Sequence, residues 1–122
     1  MHGLLYGKIA GVFVSTGAPG SGQEATVMNL LSTFAHHGIL YLPLGVRAFP
    51  PLRNLKEVHG GGSSSPGCAA GDSPFCARIL GSPWGAGTFS DADGSRQPTK
   101  LELELAHIQG KAFWEVVSKH NF

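Results

Sequence analysis

The strongest constraint on this chain is a short apolar segment that runs straight into an uncharged, glycine-rich one and then into a helix. From Lys8 to Val14 the residues Lys-Ile-Ala-Gly-Val-Phe-Val are mostly apolar, with β-branched and aromatic members, and predict a strand buried on both faces. Ser15 to Gln23 carries no charge and holds Gly17, Gly20 and Gly22 with Pro19 among them. It predicts a loop in which backbone can approach a ligand closely. Glu24 to His37 then places Val27, Met28, Leu31, Phe34 and Ala35 at helical spacing on one face, with Gly38 as C-cap. Glu24 stands in the first turn, where the helix dipole favours negative charge. Ile39 to Leu44 is again wholly apolar, and Pro43 pushes it toward a strand end or an edge. Strand, loop, helix, strand is the order of a βαβ unit, two parallel strands joined by a right-handed crossover.

Past Gly45 the pattern fades until Pro98, a gap of more than 50 residues and far longer than ordinary connections. Nine of the eighteen glycines lie from Gly60 to Gly94, and Gly62–Gly81 holds both cysteines, Cys68 and Cys76. That Ser/Gly/Pro-rich stretch reads as a disordered insertion, foreign in composition to its surroundings. A second helix closes the chain, from Thr99 to about Lys119. Thr99-Lys-Leu-Glu102 is a capping box, and Leu101, Leu105, Ile108, Ala112 and Val116 follow at three-to-four spacing. The expected fold class is α/β, with two strands and two flanking helices. Stable parallel sheets have more strands with both faces covered, so the chain reads as part of a sheet.

Charge and size narrow the function. With 122 residues there is room for one small domain. Nine Lys/Arg against eight Asp/Glu leave a net charge of +1, so no broad basic face exists to neutralise the phosphates of a nucleic acid. No apolar run approaches the roughly 18–20 residues of a membrane helix, and the first residues show no leader pattern, which together predict a cytoplasmic protein. Two cysteines are too few for a disulfide scaffold, and a bridge between Cys68 and Cys76 is not indicated in a reducing compartment. No Cys/His pair sits at zinc-like spacing beside a second pair, so no structural metal is expected.

Each local motif admits a plain reading beside a functional one. Gly17-Ala-Pro-Gly-Ser-Gly22-Gln23-Glu24, between a strand and a helix, has the glycines and context of a phosphate-binding P-loop. Gln23 replaces its lysine and Glu24 its magnesium-binding hydroxyl, which leaves at most a degenerate nucleotide binder. The loop still offers backbone amides and the Ser15 and Thr16 hydroxyls at a strand's carboxyl end, where open α/β sheets place ligands. It also reads as a simple connection. His36-His37 suits either a ligand edge or the capping of helix carbonyls, and adjacent helical residues diverge too far to chelate a metal together. Asp91-Ala-Asp93-Gly-Ser-Arg96 has the look of a calcium loop, yet its twelfth position falls on Glu102 inside the capping box. No Ser-His-Asp or Cys-His arrangement and no Gly-x-Ser-x-Gly elbow is present.

Leu5-Tyr-Gly-Lys-Ile-Ala, Phe13-Val-Ser-Thr-Gly, Gly20-Ser-Gly-Gln-Glu, Ala35-His-His-Gly, Ser82-Pro-Trp-Gly-Ala-Gly-Thr and Asp93-Gly-Ser-Arg-Gln-Pro together resemble one known family. It is the carboxyl-terminal half of the WrbA-type NAD(P)H:quinone oxidoreductases, the tryptophan-repressor-binding-protein family. The resemblance covers nearly the whole chain outside 62–81. It implies a partial flavodoxin-like fold, in which 8–14 and 39–44 are strands four and five of a five-stranded parallel sheet and 99–119 is the last helix. It also implies FMN at the carboxyl ends of the strands, embraced by Ser15, Thr16, Gly17, Ala18, Gly20 and Gly22. The first histidine of Ala-His-His-Gly, His36, becomes a cofactor neighbour by the same resemblance, while His37 keeps its plain reading. The implied activity passes hydride from NAD(P)H to flavin and on to a quinone, within a homo-oligomer, a tetramer in the family. The cofactor does the chemistry, so no side chain is assigned as acid, base or nucleophile.

Two departures set expectations of their own. The family's FMN phosphate loop follows strand one and an aromatic loop follows strand three, and neither has a counterpart here. The chain therefore reads as one truncated flavodoxin-like domain, 1–122, starting just before strand four. The twenty residues 62–81 interrupt the family pattern between Gly61 and Ser82 and keep frame, as an unspliced intron would in a gene model that also lost its front half. Truncation predicts a bare strand edge exposing Ile9, Val12 and Phe13 and a depleted core. The alternative to an active reductase is thus a non-catalytic fragment or interaction remnant without flavin.

Overall fold

Gly11 interrupts the apolar run after Lys8, and the chain there forms two short strands, β1 (Ile9–Ala10) and β2 (Val14–Thr16). They belong to a computed structural model in which residues 3–18, 21–45 and 84–120 are described. The order continues with α1 (Gln23–His37), β3 (Leu40–Tyr41), β4 (Gly87–Phe89) and α2 (Lys100–Val117). β1 pairs in parallel with β3, Ile9 opposite Leu40 and Ala10 opposite Tyr41. β2 pairs in parallel with β4, Val14 opposite Gly87 and Thr16 opposite Phe89. The result is mixed α/β, with two helices and short parallel strands in two small sheets.

The expected crossover is present, since α1 joins the parallel strands β1 and β3 by way of β2. The expected strand at 8–14 is corrected. It is split, it carries Ser15 and Thr16 inside β2 rather than in the loop, and it acquires a second neighbour in β4, from a stretch that read as patternless. The reason is a change of partner at Val12. Leu40 N–H and Leu42 N–H bond the Lys8 and Ala10 carbonyls (both 2.8 Å), and the next ladder bond runs from Val14 N–H to Ala86 O (3.1 Å). Between them the Val12 carbonyl accepts from the Gln109 side chain at 2.8 Å, while Ala86 N–H donates to that same side chain at 2.6 Å. Gly85 passes so close that a Cβ there would meet the Val12 carbonyl oxygen at 2.0 Å, which makes glycine the residue that fits.

Burial of the strands also departs from expectation. Ile9, Ala10, Val14 and Thr16 are half-buried and Ser15 is exposed, so this is not a strand covered on both faces. Of the three residues expected at a bare edge, Phe13 is 84% exposed and Ile9 half-covered, whereas Val12 is buried (7%), where Gly85 and Gln109 close on it.

Helix ends follow local chemistry. Gly38 closes α1 at φ 68°, its N–H on the Ala35 carbonyl and the Ile39 N–H on that of Phe34, in the left-handed conformation glycine adopts without a Cβ penalty. Val27, Leu31 and Phe34 turn inward while Met28 and Ala35 stay exposed. In α2, Thr99 Oγ1 accepts from the Glu102 N–H (3.2 Å) and the Glu102 carboxylate from the Thr99 N–H (2.8 Å), the reciprocal bonds of a capping box. Leu101 and Leu105 from α2 meet Leu44 in the buried cluster, with Ile108 against it, and Ala112 and Val116 are half-buried. α1 packs on β2 and β3, and α2 on β4. The insertion expected at 62–81, with Cys68 and Cys76, lies outside the described residues. No helix among the described residues is long and apolar enough to cross a membrane.

Candidate functional site

β2 and β4 end side by side, tied by Ser90 N–H on the Thr16 carbonyl at 2.9 Å, and both release loops at their carboxyl ends. The first of these runs from Gly17 to Gly22 and enters α1. Gly22 is the N-cap at φ 81° and contributes no side-chain bond to the helix. Thr26 instead bonds back to the Gly22 carbonyl through its N–H (2.9 Å) and its hydroxyl (3.0 Å). A Cβ on Gly17 or on Gly22 would meet no atom within 4 Å, so open space faces the loop.

Gln23 fixes this corner. It is 4% exposed, and its amide donates to Thr16 Oγ1 at 2.9 Å and to the Thr88 carbonyl at 2.6 Å. Thr16 Oγ1 in turn donates to the Ala18 carbonyl at 3.0 Å. One side chain thus joins the start of α1 to β2 and β4, and through Thr16 to the loop. The side chain that stands where a P-loop has its lysine is turned into the protein and away from a phosphate site.

Behind β4 lies a second polar network. Arg96 donates to Glu102 (3.0 Å), to Thr88 Oγ1 (3.1 Å) and to the Phe89 carbonyl (2.8 Å), and its guanidinium lies 3.7 Å from the centre of the Phe89 ring. Glu102 is 3% exposed and also accepts from Thr88 Oγ1 at 3.0 Å. Asp91 takes a positive φ of 61° just past β4, and the Ser95 hydroxyl and N–H bond to Asp93, holding its carboxyl below the ordinary range. The calcium-like spacing therefore resolves into a turn and an ion pair. Among the described residues no group of three His, Cys, Asp or Glu side chains is placed to hold a metal ion.

The residues expected to bind a cofactor are distributed as follows. Thr16, Gly17, Ala18 and Gly22 share the corner of β2 and α1, with Gln23 beneath them. Gly20 lies outside the described residues. Ser15 is exposed and lines a cavity of about 310 Å³ together with Phe13, Val14, Thr88, Glu102 and Leu103, whereas Thr16 bonds to Gln23 of α1. Adjacent strand residues point to opposite faces, which separates the two hydroxyls. His36 lies in the last turn of α1, thirteen residues beyond Gln23, or about 20 Å along the axis at about 1.5 Å per residue. Its ring meets that of His37 edge to face at 5.3 Å, and the carbonyls that a histidine was expected to cap are taken by Gly38 and Ile39. Gln23, Arg96 and Glu102 were not singled out as site residues by their sequence pattern. The available signal was polar residues set among apolar ones in a chain only 14% charged.

The chain is thus a mixed α/β unit with short parallel strands and a glycine-rich strand-to-helix loop at the carboxyl end of β2, the end at which open α/β sheets in general place ligands. The chain is 52% identical over 119 residues to NAD(P)H quinone oxidoreductase PST3 of Candida albicans, covering 97% of this chain and 50% of that protein. It is 52% identical over 119 residues to minor allergen Alt a 7 of Alternaria alternata, with 97% of this chain and 48% of that one covered. Protoplast secreted protein 2 of Saccharomyces cerevisiae is 51% identical over 118 residues, 96% of this chain and 49% of that one. The chain spans about half the length of the curated relatives it matches. No family model matches it.

Proposed function

We propose that this chain serves the FMN-dependent reduction of quinones by NAD(P)H, as a WrbA-type protein with a flavodoxin-like domain over 1–122, interrupted at 62–81. The observation that carries the reading is the 52% identity, over 97% of the chain, to a protein named as an NAD(P)H quinone oxidoreductase. The uncharged, glycine-rich corner of β2 and α1 supports the reading that a flavin ring's edge lies there. Open space surrounds the positions where Gly17 and Gly22 lack a Cβ, and no side chain caps the helix start. In this reading the backbone amides of Gly17, Ala18, Gly20 and Gly22 bond the ring's carbonyl and nitrogen edge, and Ser15 and Thr16 complete the strand end. FMN, when bound, supplies the two-electron chemistry, and the chain binds and orients it. His36, about 20 Å along α1 from this corner, is a cofactor neighbour only by the family resemblance, and a homo-oligomer is the expected assembly. The protein acts in the cytoplasm, and cell fractionation decides between that and the secretion named for the yeast relative.

The test is a titration of the 122-residue chain with FMN, followed by flavin fluorescence, with size-exclusion chromatography and an assay of quinone reduction by NADH and NADPH. Saturable quenching by a soluble oligomer, with turnover, supports the reading. Absence of binding supports the non-catalytic fragment instead. Sequencing of the transcript across 62–81 tests the intron, and a message joining Gly61 to Ser82 is the expected result.

A further inference from the structure

We infer that Gln23 is the positioning residue of the β2–α1 loop, fixing how the end of β2 and the start of α1 present that loop to a ligand rather than touching the ligand. The inference deepens the flavin reading and rests on it for the ligand's identity. Its ground is geometric. Within the loop the Ser21 N–H bonds the Ala18 carbonyl at 3.4 Å, and that turn keeps its place only if the end of β2 and the start of α1 stay at fixed separation. The Gln23 amide supplies that brace, with two donor hydrogens on two different strands, Thr16 Oγ1 at 2.9 Å and the Thr88 carbonyl at 2.6 Å. The bond from Thr16 to the Ala18 carbonyl carries the restraint one step further into the loop. On the helix side Gly22 adds no side-chain cap, and its carbonyl is held by the Thr26 N–H (2.9 Å) and hydroxyl (3.0 Å), bonds that tie the loop's exit to α1 itself, whereas Gln23 ties it to the strands. Gln23 is nearly inaccessible, which bars it from direct ligand contact. A merely stabilising side chain would lower the melting temperature and leave the folded loop as it is. A positioning one changes the loop inside a folded protein.

The experiment compares the full chain with Gln23→Leu, which keeps approximate volume, and Gln23→Glu, which keeps length but loses the amide donors. NMR order parameters of the Gly17, Ala18, Ser21 and Gly22 amides are read without ligand, beside those of β2 and β4. Wild type is expected near about 0.85, and both variants below about 0.6 at the loop with the strands unchanged. FMN affinity is expected to fall about tenfold, with the bound flavin's visible spectrum altered. Unchanged loop order in a folded variant overturns the inference. A wild type that ignores FMN while its loop loosens in the variants overturns the flavin reading and leaves the positioning role standing. Where Gln23→Leu fails to fold, Thr16→Val removes one anchor alone, and a loop unaltered in that variant is equally fatal.

Discussion

Replacing Arg96 with alanine should cost this chain about 3 kcal/mol, an unusually large effect for a residue in a loop. The substitution removes the 3.0 Å ion pair with Glu102, bonds to Thr88 Oγ1 and the Phe89 carbonyl, and the stack on the Phe89 ring. Breaking a buried pair by deleting one partner costs about 3–5 kcal/mol, because the remaining charge loses its counter-charge away from water. The lower end applies here. Arg96 is 15% exposed to Glu102's 2%, and Glu102 keeps the Thr99 N–H and Thr88 hydroxyl as donors. The assay is urea unfolding of the full chain followed by circular dichroism. At a slope of about 1.5 kcal/mol per molar, the midpoint drops by about 2 M. Arg96→Lys keeps the charge without the planar fork and should fall between. The reasoning is refuted if Arg96→Ala unfolds within about 0.5 kcal/mol of wild type, the range of an ordinary surface substitution. It is equally refuted if 1 M salt abolishes the difference, since only a solvated pair is screened that strongly.

Gly85→Ala should destabilise by about 2 kcal/mol, because its Cβ would press on the Val12 carbonyl and disturb the bond from Gln109; unchanged unfolding by urea would contradict the close approach. At Gly38, alanine should cost about 1 kcal/mol through the positive φ alone, since the Tyr6 ring it would strike is exposed and can turn away; Tyr6→Ala in the same chain should then restore nothing measurable on thermal melting. Burial raises the Tyr41 phenol above its ordinary value, and its hydroxyl donates to the Trp84 carbonyl. The unfolded chain therefore ionises first, so this contribution is full below about pH 10 and is lost as pH rises through the folded value. Urea midpoints between pH 8 and 11 should fall more steeply for wild type than for Tyr41→Phe.

What the sequence made legible was what local chemistry decides. Both helices stand within two residues of their expected bounds, and Thr99, Glu102 and Gly38 cap as their types and spacing require. The parallel partnership of the segments around Ile9 and Leu40 followed from the helix between them. What stayed hidden was decided by contacts distant in sequence. β4 is Gly-Thr-Phe, with no apolar run to announce it, and it becomes a strand because β2 lies beside it from 73 residues away, Val14 opposite Gly87. The partner change at Val12 needs a glycine at position 85 and a glutamine at position 109, neither remarkable in its own neighbourhood. The site divides along the same line. The glycines of the loop could be read because a missing Cβ is a local property. In sequence Gln23 reads as an absent P-loop lysine and as one letter of the Gly20-Ser-Gly-Gln-Glu motif, and its bracing role stays hidden because that role lies in acceptors on β2 and on β4, the latter 65 residues away. A side chain that serves by bracing is visible only once the strands it braces are in place, and that is why perturbing Gln23 tests the site more directly than perturbing the glycines that advertised it.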